Sequence, residues 1–250
     1  MIKRERLYSD LAWLWPTLSP PEDYIEEAEF LANLIKSYMN HAPETLLHLG
    51  CGGGHLDMTL KKYFDITGVD KSPQMLELAR KLNPENSYLS GDMRTIRLKS
   101  KFDVVLLYDG IYYMATEDDL KAAFITAYEH LTNGGITLTV VEKTPSSFQQ
   151  NETKIQHRVE GQLKLTYFAH WYDSDPDDST YENVYVYLIH KDGILSVETD
   201  LHICGMFEVE VWERLLKEAG FSSRQDTFRH STFSPGEEYP ILIGFKEEER

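Results

Sequence analysis

An apolar run that breaks into a cluster of glycines, Leu46-Leu47-His48-Leu49-Gly50-Cys51-Gly52-Gly53-Gly54-His55-Leu56, sets the frame for the whole chain. It reads as a strand, a tight turn and the start of a helix. Glycine belongs where the backbone takes a positive φ, or where a ligand must approach with no Cβ in the way. The N–H groups at a helix start then form a polar cradle. By itself such a turn suits an ordinary loop as well as a ligand site, so the segments downstream decide its meaning.

Ile66-Thr67-Gly68-Val69-Asp70 is a short buried-strand pattern ending in an acid, and residues 73–81 carry helical spacing, which makes a βαβ unit. An acid where Asp70 stands can accept hydrogen bonds from both hydroxyls of a ribose. The other role open to it is a helix cap, which Ser72 can fill instead. Tyr88-Leu89 is expected as a third short strand, followed by Gly91-Asp92-Met93-Arg94, where an acid and an apolar residue together suit an adenine. Residues 102–109 read as a central strand whose polar end should lie beside the glycine turn, because ligands of such sheets bind where strand ends meet. Residues 110–114, with Tyr112 and Tyr113, read as a loop before a helix over 117–131. Asn133-Gly134-Gly135 is expected to cap that helix, and 136–141 to form a fifth strand.

Upstream, residues 7–21 hold Tyr8, Trp13, Trp15 and three prolines. That is an irregular lead-in whose aromatics either staple the N-terminus to the core or flank a ligand. Residues 22–39 have the spacing of an amphipathic helix. Beyond Pro145, strand-like pieces at 162–171, 181–190 and 194–204 joined by short turns imply an antiparallel sheet. A helix over 208–219 capped by Gly220 and strands at 223–228 and 239–245 complete the chain, and the charged tail Glu247-Glu248-Glu249-Arg250 is expected to fray. The expected fold is α/β: a Rossmann-like, seven-stranded, mostly parallel sheet with helices on both faces, plus an antiparallel β insertion after the fifth strand. The expected division is 1–144 with 208–250 as the main domain and 145–207 as an inserted subdomain over the active site.

A formal net charge of −16 argues against a nucleic-acid backbone or an anionic membrane as partner. The two cysteines, Cys51 and Cys204, allow no disulfide framework and have no metal-ligand spacing, which fits a reducing cytoplasm. The first residues, Met1-Ile2-Lys3-Arg4-Glu5-Arg6, begin no apolar stretch, so neither signal peptide nor membrane span is expected. The insertion's exposed strand edges need covering, which a homodimer would do.

The glycine spacing narrows the ligand. In a dinucleotide fingerprint the third glycine would fall at position 55, where His55 is too bulky for the close helix approach. Gly50, Gly52 and Gly54 instead leave room for an amino-acid moiety and a single nucleoside. Here the sequence resembles class I S-adenosylmethionine-dependent methyltransferases. The resemblance rests on Leu47 to Gly54, Gly68-Val69-Asp70 with Ser72-Pro73-Gln74-Met75-Leu76, Gly91-Asp92-Met93, Phe102-Asp103-Val104-Val105, and Leu131-Thr132-Asn133-Gly134-Gly135, in the family's order. One departure is His48, where the family usually carries an acid. The lead-in Leu7-Tyr8-Ser9-Asp10-Leu11-Ala12, Gly91-Asp92-Met93-Arg94, Tyr113, the insertion and Met206-Phe207 are similar to a narrower group, the N,N-dimethyltransferases of nucleotide-linked amino sugars.

The resemblance implies S-adenosyl-L-methionine as cofactor, with Gly50, Cys51, Gly52 and Gly54 at its methionine end. It places Asp70 on the ribose, Asp92 and Met93 at the adenine, and Tyr8, Lys71, Met75, Gly91 and Tyr108 in the rest of the site. A methyl group on a sulfonium is already activated, so alignment supplies much of the rate. A nearby hydroxyl, imidazole or carboxylate helps remove the amine proton. Tyr113 and His170 are the candidates for acceptor binding or proton removal, with Tyr8, Tyr112 and Trp171 near them in role. The expected acceptor is a small molecule, methylated on an amine nitrogen. A methyltransferase of protein or RNA, and a cofactor-binding module without turnover, stay open as alternatives.

Overall fold

The computed structural model describes residues 2–247. Met1 and residues 248–250, most of the tail expected to fray, lie outside the described residues. In chain order, 3-10 turns at Arg6–Tyr8 and Ala12–Leu14 lead to a one-turn helix α1 (Trp15–Leu18), a 3-10 turn at Pro21–Tyr24 and α2 (Ile25–Tyr38). Then come β1 (Thr45–Leu49), α3 (His55–Leu60), β2 (Asp65–Asp70), α4 (Pro73–Leu82), β3 (Ser87–Ser90), β4 (Phe102–Leu107), a 3-10 turn at Asp109–Tyr113, α5 (Glu117–His130) and β5 (Leu131–Val140). The insertion holds β6 (Glu152–Glu160), β7 (Leu163–Tyr172), β8 (Thr180–Lys191) and β9 (Ile194–Gly205), and the chain closes with α6 (Val209–Glu218), β10 (Ser222–Phe228) and β11 (Tyr239–Phe245).

The main sheet has seven strands in the order β10-β11-β5-β4-β1-β2-β3, and β11 alone runs against its neighbours. Its central strands are apolar on both sides because both faces are covered, as a parallel sheet requires. Leu46, Val104 and Leu106 point to α2 and α3, where Ala28, Leu31, Ile35 and Leu60 meet them. Leu47, Leu49, Val105 and Leu107 face α5 and α6 through Leu120, Phe124, Trp212 and Leu216. The strand order reverses at β1, between β2 and β4, which puts the ends of these strands around one crevice.

Two expectations are corrected. Asn133-Gly134-Gly135 does not cap α5: Leu131 already has extended dihedrals, and the glycines lie inside β5. Gly134, with φ of 77°, makes a bulge there, and the β4–β5 register slips from Phe102↔Leu131 to Val104↔Ile136. The insertion has four strands in the order β6-β7-β8-β9, one more than the hydrophobic pattern indicates. The extra strand, β6, is mostly exposed, so no buried alternation marks it.

The lead-in is more ordered than its prolines suggest. Leu7, Leu11, Leu14 and Leu18 pack on the inner face of the inserted sheet, against Leu165, Tyr167, Ala169, Tyr187 and Ile189. Asp200 of β9 ties it down, its fully buried carboxylate accepting the backbone N–H groups of Arg6 (2.9 Å) and Leu7 (2.7 Å). Among the described residues no helix is long and apolar enough to cross a membrane.

Candidate active site

At the crevice lies a cavity of about 250 Å³. Its floor is the turn after β1, where Gly50, Gly52 and Gly54 take φ values of 79°, 52° and 72°. A Cβ on Gly50 would lie 2.8 Å from Met93 Cε and 3.1 Å from Gly110 Cα, so position 50 needs glycine both for its dihedral and for the close approach. Cys51, Gly52 and Gly53 line the same floor, but Gly54 does not. Gly54 precedes α3, its carbonyl accepting Asn83 Nδ2–H (2.8 Å), and it lies against Asn83 and Tyr88. Its part in the site is indirect.

Asp70 ends β2 at the cavity wall. Its Oδ2 accepts the Gly52 N–H (2.9 Å) and its Oδ1 the Ser72 N–H (2.8 Å), so it fastens the glycine turn, while Ser72 caps α4 by accepting the Met75 N–H (3.1 Å). Burial pushes the Asp70 carboxyl up, against the pull of those two N–H groups. Lys71, Met75, Gly91, Asp92, Met93 and Tyr108 also line the cavity. Arg94 grips Asp92 at 3.0 and 2.6 Å, which holds that carboxyl below its ordinary value, and reaches Asp119 at 2.7 Å. Lys71 pairs with Glu5 at 3.1 Å. Both cations in the cavity wall are thus already neutralised.

A carboxylate is present beside His48 after all. His48 Nδ1 is 2.7 Å from Oδ1 of the fully buried Asp57, whose Oδ2 accepts the Tyr88 hydroxyl (3.0 Å). The roof comes from the lead-in. Trp15 lies on Gly53, where a Cβ would be 2.8 Å from its Cδ1, and its Nε1–H is buried with no partner among the described residues. His55 is locked below it, Nδ1 at 2.6 Å from the Ser19 carbonyl and the ring 5.8 Å from those of Trp15 and Tyr24. Tyr8 and Trp15 therefore both staple the N-terminus and line the cavity, while Trp13 is exposed.

Tyr113 lines the cavity with Tyr8, their hydroxyls 2.9 Å apart. Behind them the Tyr113 hydroxyl is 2.5 Å from His202 Nδ1, and His202 Nε2 is 2.8 Å from Asp200 Oδ2. The carboxylate fixes the imidazole proton on Nε2 and leaves Nδ1 as an acceptor. Burial opposes charge on Asp200, but His202 and the N–H groups of Arg6 and Leu7 outweigh it and hold the carboxyl below its ordinary value. Burial pushes both tyrosines well up.

His170 is not in the site. It lies on the outward face of β7, with Nδ1 2.7 Å from Thr153 Oγ1 and its ring stacked near Tyr172. The sequence holds the signal that decides this: Leu165, Tyr167 and Ala169 are the buried parity of β7, so residue 170 points away. The same parity on β9 brings Asp200, His202 and Cys204 inward, and it identifies the histidine that sequence reasoning missed.

Asp109 lines the cavity next to Gly110, and its repulsion from Glu142 and Glu27 adds to the burial that pushes it well up. Glu27 accepts the Tyr108 hydroxyl (2.9 Å), and burial, reinforced by Glu142 and Glu26, pushes it up to about 7. The folded state therefore holds more protons than the unfolded chain between the ordinary value of 4.5 and about 7, and stability falls as pH rises through that window. Glu27→Gln, which still accepts from Tyr108, is expected to be more stable than the parent by about 1–3 kcal/mol at pH 8 and equal to it near pH 4.5. Thermal unfolding at the two pH values checks this.

Residues 46–135 carry a methyltransferase domain, matching the family of that description. The chain is 36% identical over 129 residues to the dTDP-3-amino-3,4,6-trideoxy-alpha-D-glucopyranose N,N-dimethyltransferase of Streptomyces venezuelae, an alignment covering 51% of this chain and 54% of that protein. This match spans only about half of that relative's length. It is 27% identical over 205 residues to the dTDP-3-amino-3,6-dideoxy-alpha-D-glucopyranose N,N-dimethyltransferase of Streptomyces fradiae, covering 80% and 78%. Streptomyces venezuelae DesVI has the same fold, with a TM-score of 0.79, 24% identity and coverage of 94% and 95%. The residues present fit the cofactor: a glycine-rich floor, an acid at the end of β2, a buried Trp15 N–H with no partner among the described residues, and Lys71 and Arg94 of the lining both paired with carboxylates.

Proposed function

We propose that the protein transfers a methyl group from S-adenosyl-L-methionine to an amine nitrogen of a small molecule. What carries this reading is that the glycine floor and Asp70 share one cavity with the half-buried Tyr8–Tyr113 pair. Gly50, Cys51 and Gly52 would hold the methionine end, Asp70 the ribose hydroxyls, and Asp92 with Met93 the adenine. Tyr8, Lys71, Met75, Gly91 and Tyr108 complete the walls. When bound, the cofactor supplies a methyl group on a positive sulfur, already activated toward a nucleophile, so the protein's chief task is alignment. Tyr8 and Tyr113 orient the acceptor, and a proton leaving it passes through Tyr113 to His202 Nδ1, which Asp200 keeps ready as an acceptor.

The N,N-dimethyltransferase names of the relatives support an amine acceptor. Residues 145–207 act as a subdomain over the site, on a main domain of 1–144 and 208–250. Two buried free thiols suit a reducing cytoplasm, and exposed Ile155, Val159 and Val197 on the outer face of the insertion suit a homodimer.

Calorimetric titration with S-adenosyl-L-methionine, followed by release of S-adenosylhomocysteine with a panel of amines, tests the proposal. Asp70→Ala is expected to weaken binding about 100-fold, since two charge-assisted hydrogen bonds and the anchor of Gly52 are lost. Unchanged binding would remove Asp70 from the site, and no binding by the parent protein would sink the reading.

A further inference from the structure

Of the four buried residues of β1, Leu46 to Leu49, only His48 is polar, and it lines the cavity two residues before Gly50. A buried imidazole needs partners for its ring nitrogens. Nδ1 has one, Asp57 Oδ1 at 2.7 Å, in the first turn of α3. The other Asp57 oxygen accepts the Tyr88 hydroxyl (3.0 Å), and Asn83 Nδ2 lies 3.0 Å from that hydroxyl while donating to the Gly54 carbonyl (2.8 Å). Both oxygens of this fully buried carboxylate thus accept from fixed donors, which puts the imidazole proton on Nδ1 and the lone pair on Nε2. Nε2 has no partner among the described residues. Unlike Trp15 Nε1 it is not sealed from solvent, so it opens onto the cavity that His48 lines.

The adjoining turn has few donors to spare. The N–H groups of Gly50 and Cys51 bond the Val69 carbonyl (2.7 and 3.1 Å), that of Gly52 bonds Asp70 and that of Gly54 the Cys51 carbonyl (3.0 Å). This end of the floor therefore offers an acceptor in His48 while most of its own donors are occupied. An amino-acid end brings two groups, an ammonium that only donates and a carboxylate that only accepts. An imidazole fixed as an acceptor suits the first and repels the second, and the Asp57 charge behind it polarises the ring and strengthens that acceptor.

Building on the methyltransferase reading, we infer that His48 takes the α-ammonium of the cofactor, accepting one of its N–H bonds on Nε2, and that Asp57 is the positioning residue that holds His48 in the accepting tautomer. Three ligands that differ only at the amino-acid end test it by calorimetry: S-adenosylhomocysteine, its deaminated analogue, and 5′-methylthioadenosine, which lacks that end altogether. The parent protein is expected to bind S-adenosylhomocysteine at least about tenfold more tightly than the deaminated analogue, as a hydrogen bond to a charged group provides. His48→Asn keeps a group near Nδ1 for Asp57 and removes Nε2, so it should abolish most of that preference and leave the other two ligands bound as before. His48→Gln, whose amide oxygen reaches the place of Nε2, should restore it. Nitrogen NMR of labelled histidine, with the His48 signal identified by its loss in His48→Asn, should show the proton on Nδ1 in the parent and a mixture of tautomers in Asp57→Asn. A parent that does not distinguish the first two ligands, equal loss of all three in His48→Asn, or a proton on Nε2 in the parent would overturn the inference. Failure of the methyltransferase reading itself would look different, with none of the three ligands bound by the parent.

Discussion

Gly50→Ala is expected to weaken S-adenosyl-L-methionine binding at least about 100-fold, with a stability loss of only about 1–3 kcal/mol. The φ of 79° is costly for any side chain, and the new methyl group would press on Met93 and on the Gly110 backbone, where two strand ends converge. Gly161 supplies the control. It has a comparable φ of 57° at the hairpin between β6 and β7, but nothing lies within 4 Å of a Cβ there. Gly161→Ala should therefore carry a similar backbone cost and leave cofactor binding intact. Calorimetry and thermal unfolding on both variants separate strain from intrusion, and a Gly50→Ala protein that binds like the parent would show that the turn is not the cofactor floor.

Tyr113→Phe is expected to lower kcat about 100-fold, in the range typical for loss of a proton-transfer group, with cofactor affinity changed less than tenfold. The sharper readout is coupling. Tyr113, His202 and Asp200 form one chain of contacts of 2.5 and 2.8 Å, so on the proposed route each is expected to depend on the others to move a proton. His202→Gln should give a comparable loss, and the double variant should be scarcely slower than either single one. Additive losses, or a Tyr113→Phe enzyme with parental kcat, would leave Tyr113 as packing only.

Much of the donor half of the site was legible because it rests on backbone rules. Positive-φ glycines and an acid at a strand end announce themselves in the sequence, and Asp70, Asp92 and Met93 line the cavity. The acceptor half was less so. His170 and His202 both sit in strand-like runs, and only the buried parity of each strand separates inward from outward side chains. Asp57, which supplies the carboxylate beside His48, comes from the following helix and is brought there by tertiary packing. Gly134 was read as a helix cap because a left-handed glycine after a helix usually is one. Its place in a bulge depends on β4 alongside it, which no local pattern encodes.

The Asp200 anchor has a bearing on how such proteins are recombined. Residues 6 and 7 hang from β9 by their backbone, and the leucines behind them fill the inner face of the inserted sheet. The roof over the cavity and the inserted sheet, nearly two hundred residues apart in the chain, are thus one structural part. A chimera that exchanges 145–207 alone splits it across two parents, whereas one that carries residues 2–18 along transfers a matched pair.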